Sequence, residues 1–224
     1  MNNDPVKALK AALTDKLHID LKSNPVTVAL EGSSIIIEGM VEDIARKKRA
    51  LLIAMGLPGV EGVIDRLRIK PSNPMTDPEI RDHFYAAVEE EPTLKTAGIR
   101  AEVKDGVVDI EGTVGSLTHK RLAGVLAWWI PGALDVINSL EVLPPMADNE
   151  DELNDALRIV LEKDRLVDAL SLTYSNRDYV VTLNGVAGSA EERHAAEEDA
   201  WYIWGVNDVV NNIRVEPASV HQLP

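Results

Sequence analysis

Apolar positions in the middle third of the chain change period in a fixed order. Ile80, Phe84, Ala87 and Val88 recur at helical spacing behind Asp77-Pro78, which reads as an N-cap followed by proline at the first helical position. Ile99, Ala101 and Val103 then alternate with Arg100 and Glu102. Lys104-Asp105-Gly106 supplies turn chemistry, and Val108 and Ile110 alternate again, so the pattern predicts a hairpin. After Gly112-Thr113-Val114-Gly115-Ser116 a second helical pattern runs from about Leu117 to Ile130 and closes at Pro131-Gly132. Val136, Leu140 and Val142 make a last extended segment. The predicted order is α-β-β-α-β.

The same order recurs on either side. In the last third, Leu153, Leu157, Val160 and Leu161 mark a first helix, Leu172, Tyr174, Val181 and Leu183 a hairpin, and Val209, Ile213 and Val215 a third strand. Gly39, Gly112 and Gly185 lie 73 residues apart, as do Gly59, Gly132 and Gly205, then Leu67, Leu140 and Ile213, then Pro71, Pro144 and Pro217. Four registers held together identify three copies of one unit. In the first copy, Leu9, Leu13 and Leu17 align with Ile80, Phe84 and Val88 at an offset of 71, so the loop after its first helix is two residues shorter. The predicted divisions are 1–72, 73–147 and 148–218 with a tail 219–224, joined by the proline-stiffened Pro71-Ser72-Asn73-Pro74 and the run from Pro144 to Asn149.

The hairpin makes strands one and two antiparallel. About fifteen residues between strands two and three accommodate a crossover helix, which makes that pair parallel. Each unit is therefore expected to be a three-stranded mixed sheet with two helices on one face, an α/β (α+β) class fold. The bare sheet face is the expected docking surface for a neighbouring unit or a partner. Gly59, Gly132 and Gly205 fall where the second helix turns into strand three, a site that favours positive φ. Ala50, Ala123 and Ala196, with Ala54, Ala127 and Ala200, let that helix approach its sheet closely.

Charge changes the picture more than composition does. Residues 1–73 carry 11 Lys and Arg against 9 Asp and Glu, residues 74–147 carry 6 against 12, and residues 148–224 carry 6 against 16, within a net charge of -14. Two units of three would repel a phosphate backbone, which argues against nucleic acid as partner. No stretch approaches the ~18 apolar residues of a membrane span. The opening residues hold no apolar core behind a basic start, so a cytoplasmic location is expected, with the periplasm as the alternative if a signal has been removed. With no cysteine there is no disulfide framework and no thiol nucleophile. His18, His83, His119 and His221 occupy unrelated registers, and neither a serine nucleophile elbow nor a phosphate-cradling glycine loop is present. The expectation is a protein that is not an enzyme and needs no cofactor.

Two runs from Gly106 to Val114 and from Pro131 to Val142 together resemble the BON domain, as do Gly205 to Val215 in the third copy and Gly59 to Val63 in the first. The resemblance covers nearly the whole chain. It implies the α-β-β-α-β fold, a non-catalytic binding role, a link to osmotic stress, contact with phospholipid surfaces or envelope partners, and in some members potassium sensing.

Three features go beyond packing. Arg46-Lys47-Lys48-Arg49 opens the second helix of the first copy and is the candidate contact for an anionic phospholipid surface. Its alternative is a solvated helix face balanced by Glu42 and Asp43. Trp128, Trp129, Trp201, Tyr202 and Trp204 cluster where the second helix closes in copies two and three, and they are read as an interface between repeats or subunits, with an oligomer in view. Glu191, Glu192, Glu197, Glu198 and Asp199 surround His194 and read as a solvated acidic face. His194 and Glu198, four apart, would reach one metal, but no repeated ligand set completes a site and no metal is assigned. The leading functional reading is a phospholipid- or envelope-partner-binding protein in a stress role. The alternative is a soluble stress module that binds a potassium-type cation or a protein.

Overall fold

In the computed structural model, which describes residues 4–19, 21, 26–145 and 147–216, three α-β-β-α-β units follow one another. Pro217, His221, Met146 and the tail 219–224 lie outside the described residues. The first unit contains α1 (Pro5–Asp15), β1 (Thr27–Glu31), β2 (Ser34–Val41), α2 (Ile44–Met55) and β3 (Gly62–Ile69). The second contains α3 (Asp77–Glu90), β4 (Arg100–Lys104), β5 (Val107–Glu111), β6 (Thr113–Val114), α4 (Leu117–Trp128), β7 (Asp135–Asn138) and β8 (Glu141–Val142). The third contains α5 (Glu150–Lys163), β9 (Leu172–Arg177), β10 (Val180–Ala187), α6 (Ala190–Tyr202) and β11 (Asp208–Val215).

In each unit the hairpin strands pair antiparallel and the crossover pair runs parallel, in sheet orders β1-β2-β3, β4-β5-β7 and β9-β10-β11. The fold class is α+β, as the periodicity predicts. Leu9 and Leu13 are fully buried, as are Ile80 and Phe84, while Leu17 and Val88 share the same slight exposure, which fits the apolar alignment of the first copy. The six alanines at positions 50, 54, 123, 127, 196 and 200 are all fully buried. In the second unit the predicted single last strand is divided into β7 and β8, with β6 opposite the second piece. The ladder nonetheless continues through the Ser139 amide to the Ile110 carbonyl and the Glu141 amide to the Gly112 carbonyl.

A tie not evident from the apolar pattern recurs at the same register in all three units. Asp65, Asn138 and Asn211 each accept from the amide two residues on, at Leu67, Leu140 and Ile213, which fixes a local turn inside strand three. The other side-chain polar atom reaches back to the crossover helix. Asp65 meets the Lys47 ammonium at 2.8 Å, Asn138 donates to the Lys120 carbonyl, and Asn211 donates to the Arg193 carbonyl.

Two local expectations are corrected. Asp77 is not the N-cap of α3: Thr76 is, in a capping box with Glu79, and Asp77 instead accepts from the Asp105 and Gly106 amides, pinning the hairpin turn to the helix start. Gly59 and Gly205 have φ of +81° and +95°, but Gly132 does not share that conformation. A Cβ at Gly132 would lie 2.5 Å from the Met75 Cβ, so close approach and not backbone freedom requires glycine there.

The units also dock differently from expectation. They meet through helices, α2 against α6 and α4 against both α5 and α6, and units one and two also through the edge strands β3 and β7, where the Ile69 amide donates to the Leu134 carbonyl, and not through the bare sheet faces. The physical reason is legible in α4, which is apolar all round from Leu122 onward and buries Leu117, Leu122, Val125 and Leu126, so one sheet cannot cover it. Units two and three share one continuous core. Unit one has its own, but its Ile44 is buried in the core of the other two, and Trp128 packs against both.

Candidate functional site

The place where the three units meet gathers the basic run and the aromatic cluster. Arg46 pairs with Asp43, whose carboxylate also caps α2 by accepting the Arg46 amide, and it donates to the Leu17 carbonyl. Lys47 is buried. Its ammonium contacts Asp65 at 2.8 Å, Asp135 of unit two at 2.9 Å and the Leu67 carbonyl. Asp135 also holds Arg68 at 2.7 Å, yet burial outweighs both cations and leaves its carboxyl above its ordinary pKa. Lys48 is half-buried as a residue, but its ammonium donates to the Ile203 carbonyl of unit three at 2.9 Å, and desolvation lowers its pKa to about 7. Arg49 reaches Asp208 of unit three at 2.9 Å and lies over the Trp201 ring at 4.9 Å. All four cations thus have protein partners, and Lys47, Lys48 and Arg49 each bridge two units.

The aromatic residues complete the junction from the other side. Trp128 of unit two stacks on Tyr202 of unit three, with centroids 5.8 Å apart and planes 13° from parallel. Trp129 donates its indole N–H to Asp199 at 2.8 Å. Trp201 is 1% exposed, whereas Trp204 is 49% exposed and has Lys120 and Arg121 of unit two over its ring. Arg121 is fully buried; it donates to the Trp204 carbonyl and to both Asp148 carboxylate oxygens. Nothing in the unit-to-unit pattern of apolar residues singles out Arg121, although an arginine within so apolar a helix is itself the signal.

A half-open cavity of about 780 Å³ lies at this junction, with walls from all three units. The acidic run of α6 contributes to it, which corrects the expectation of a fully solvated face. Asp199 is 2% exposed, because α6 turns it under Trp129. Desolvation is the chief cause that pushes its carboxyl up to about 8; the Trp129 hydrogen bond opposes this and Asp164 adds to it. Glu198 is raised as well, by burial first, against the pull of His194 and with the push of Asp43 and Glu197. The Tyr202 hydroxyl is raised by burial and by the same carboxylates. Glu192 has a structural task, accepting from the Gly188 and Asp168 amides. His194 and Glu198 are 3.7 Å apart, and among the described residues no three potential ligands are grouped to hold a metal ion. No helix among the described residues is long and apolar enough to cross a membrane.

Comparison with known proteins bears on this architecture. The BON domain family matches residues 5–71, 76–144 and 149–217. Osmotically-inducible protein Y of Escherichia coli (strain K12) is 27% identical over 139 residues, 59% of this chain and 68% of that protein. Among solved structures, two of CdsD, a structural protein of the type III secretion system of Chlamydia trachomatis, align at 16% and 17% identity with TM-scores of 0.27 and 0.28. They cover 97% and 95% of this chain, and 100% and 94% of theirs. Superposition that loose carries no argument about this protein.

Proposed function

This chain belongs to the BON domain family, and from that premise we propose that it is a non-catalytic binding protein with a role in osmotic stress, whose working element is the junction of its three domains. The observation that carries the reading is the use of Lys47, Lys48 and Arg49: they hold domain one against domains two and three around a shared cavity. A string of independent binding modules has no need of such a clasp. The stress role rests on the likeness to osmotically-inducible protein Y.

The test is a host lacking this protein, shifted to high osmolarity. Growth should slow, recover with the wild-type chain, and not recover with Arg49→Gln combined with Asp135→Asn, which opens the junction. A host indifferent to the deletion at every osmolarity contradicts the reading.

Contact with anionic phospholipid is a second reading, favoured by one observation. Leu52 and Met55 are 38% and 56% exposed on the helix that carries Arg46 and Arg49. Replacing the four cations would open the junction and confound a binding assay. Leu52→Ser with Met55→Ser leaves the clasp intact, and it should abolish co-sedimentation with anionic liposomes if this tip of α2 is the contact. Undiminished binding by that variant contradicts it.

A further inference from the structure

The junction cavity combines two kinds of wall. Trp128, Trp129 and Tyr202 line it with aromatic surface, and Asp164, Glu198 and Asp199 line it with carboxylates. Asp199 is almost fully buried, and while one of its oxygens accepts the Trp129 indole N–H, no donor reaches the other and the carboxyl lies against that of Asp164. Buried polar groups are ordinarily satisfied, and a carboxylate oxygen left unpaired in a cavity wall marks a place where a donor or a cation is held.

The cations already present do not fill that role. Lys163 is engaged with Glu91 at 2.6 Å, Lys70 lies 3.8 Å from Glu42, and Arg165, the third cation of the wall, is exposed and does not bond the Asp199 oxygen. The volume falls within the range of small-molecule sites, roughly 300–1,000 Å³, and greatly exceeds the space of one bare inorganic ion. Aromatic faces attract cations through their quadrupoles and are the usual recognition surface for alkylated ammonium groups.

We propose that this cavity binds a small organic ammonium cation, its charge set against Glu198 and Asp199 and its carbon skeleton against Trp128, Trp129 and Tyr202. The proposal rests on the junction being the working element and names the ligand class. A bound cation would favour the ionised form of Glu198 and Asp199, which burial disfavours in both.

This predicts opposite signs for stability and affinity. Glu198→Gln removes a poorly compensated charge, so the unliganded protein should melt higher, while binding weakens roughly tenfold. A residue with a purely structural role does not produce that combination. The experiment titrates the full chain with choline chloride and, separately, with putrescine, following tryptophan fluorescence at ionic strength held constant with sodium chloride; potassium chloride is the control. A saturable response to either organic cation, absent with potassium and weakened in Glu198→Gln, supports the proposal. An equal response to potassium, no saturable response, or unchanged affinity in a Glu198→Gln variant that melts normally overturns it. Should no ammonium compound bind while the deletion host still fails at high osmolarity, the ligand class falls and the role of the junction stands.

Discussion

At the scale of single residues, the junction holds two ionisable groups that burial drives toward neutrality in opposite senses. Asp199 has its pKa raised from 3.8 to about 8, so the folded protein keeps a proton that the unfolded chain loses. The stability this contributes is fully present below about 3.8 and is lost as pH rises from there through about 8. Lys48 has its pKa lowered from 10.5 to about 7, so the unfolded chain holds the extra proton and stability recovers as pH climbs between those values. Replacing Asp199 by Asn keeps an acceptor for Trp129 and removes the ionisation, with Asp164 and Glu198 as the charged neighbours that remain. At pH 8 the variant should melt about 2–4 °C above wild type, the shift expected of roughly 1 kcal/mol in a chain of this size. Near pH 4 the two should coincide. Thermal melts across that range check it, and a variant that melts lower at pH 8 contradicts the assignment.

Among elements, the two glycine registers of the repeat perform different tasks. Gly112 and Gly185 have φ of +128° and +127°, and a Cβ at either would lie 2.2 Å from a backbone carbonyl oxygen, that of Gly98 or Ser171. Neither conformation nor space admits alanine, so Gly112→Ala should cost about 3 kcal/mol or more by denaturant melt. Gly132→Ala meets the Met75 and Ile80 side chains and keeps an ordinary backbone conformation, so it should cost less, and Met75→Gly, which removes the Cβ at 2.5 Å, should rescue it in part. The apolar periods read from the sequence give the two helices and three main strands of each unit, because alternation and helical spacing are direct consequences of which face is covered, but not β6 or the division of the last strand in unit two. They do not show what Gly132 or Asp199 touches. Glu197, Glu198 and Asp199 are adjacent on a helix and project about 100° apart, so which one is buried depends on where a neighbouring unit sits. The names of the basic and aromatic residues are readable in the sequence, but their partners Asp135, Ile203 and Asp208 lie in other units, 88 or more positions away along the chain, beyond the reach of local pattern.

For the whole molecule, the clasp is asymmetric. Domains two and three share a core through α4, α5 and α6, while domain one is attached by Lys47, Lys48, Arg49 and Arg68, by the β3–β7 contact, and by the packing of Ile44 and Trp128. Among the described residues only the buried Ile44 side chain of domain one enters the shared core, and the partly exposed Arg49–Asp208 pair contributes little, so domain one is the part expected to loosen first on heating or in salt. The central claim is that the three domains nonetheless form one body around the junction. Small-angle X-ray scattering of the full chain in moderate salt tests this most directly. A single compact body of this length has a radius of gyration of about 17 Å, and the account predicts a value close to that, within a few ångströms, with a bell-shaped Kratky profile. A radius above about 25 Å with a rising profile, the mark of domains moving on flexible joints, would contradict it.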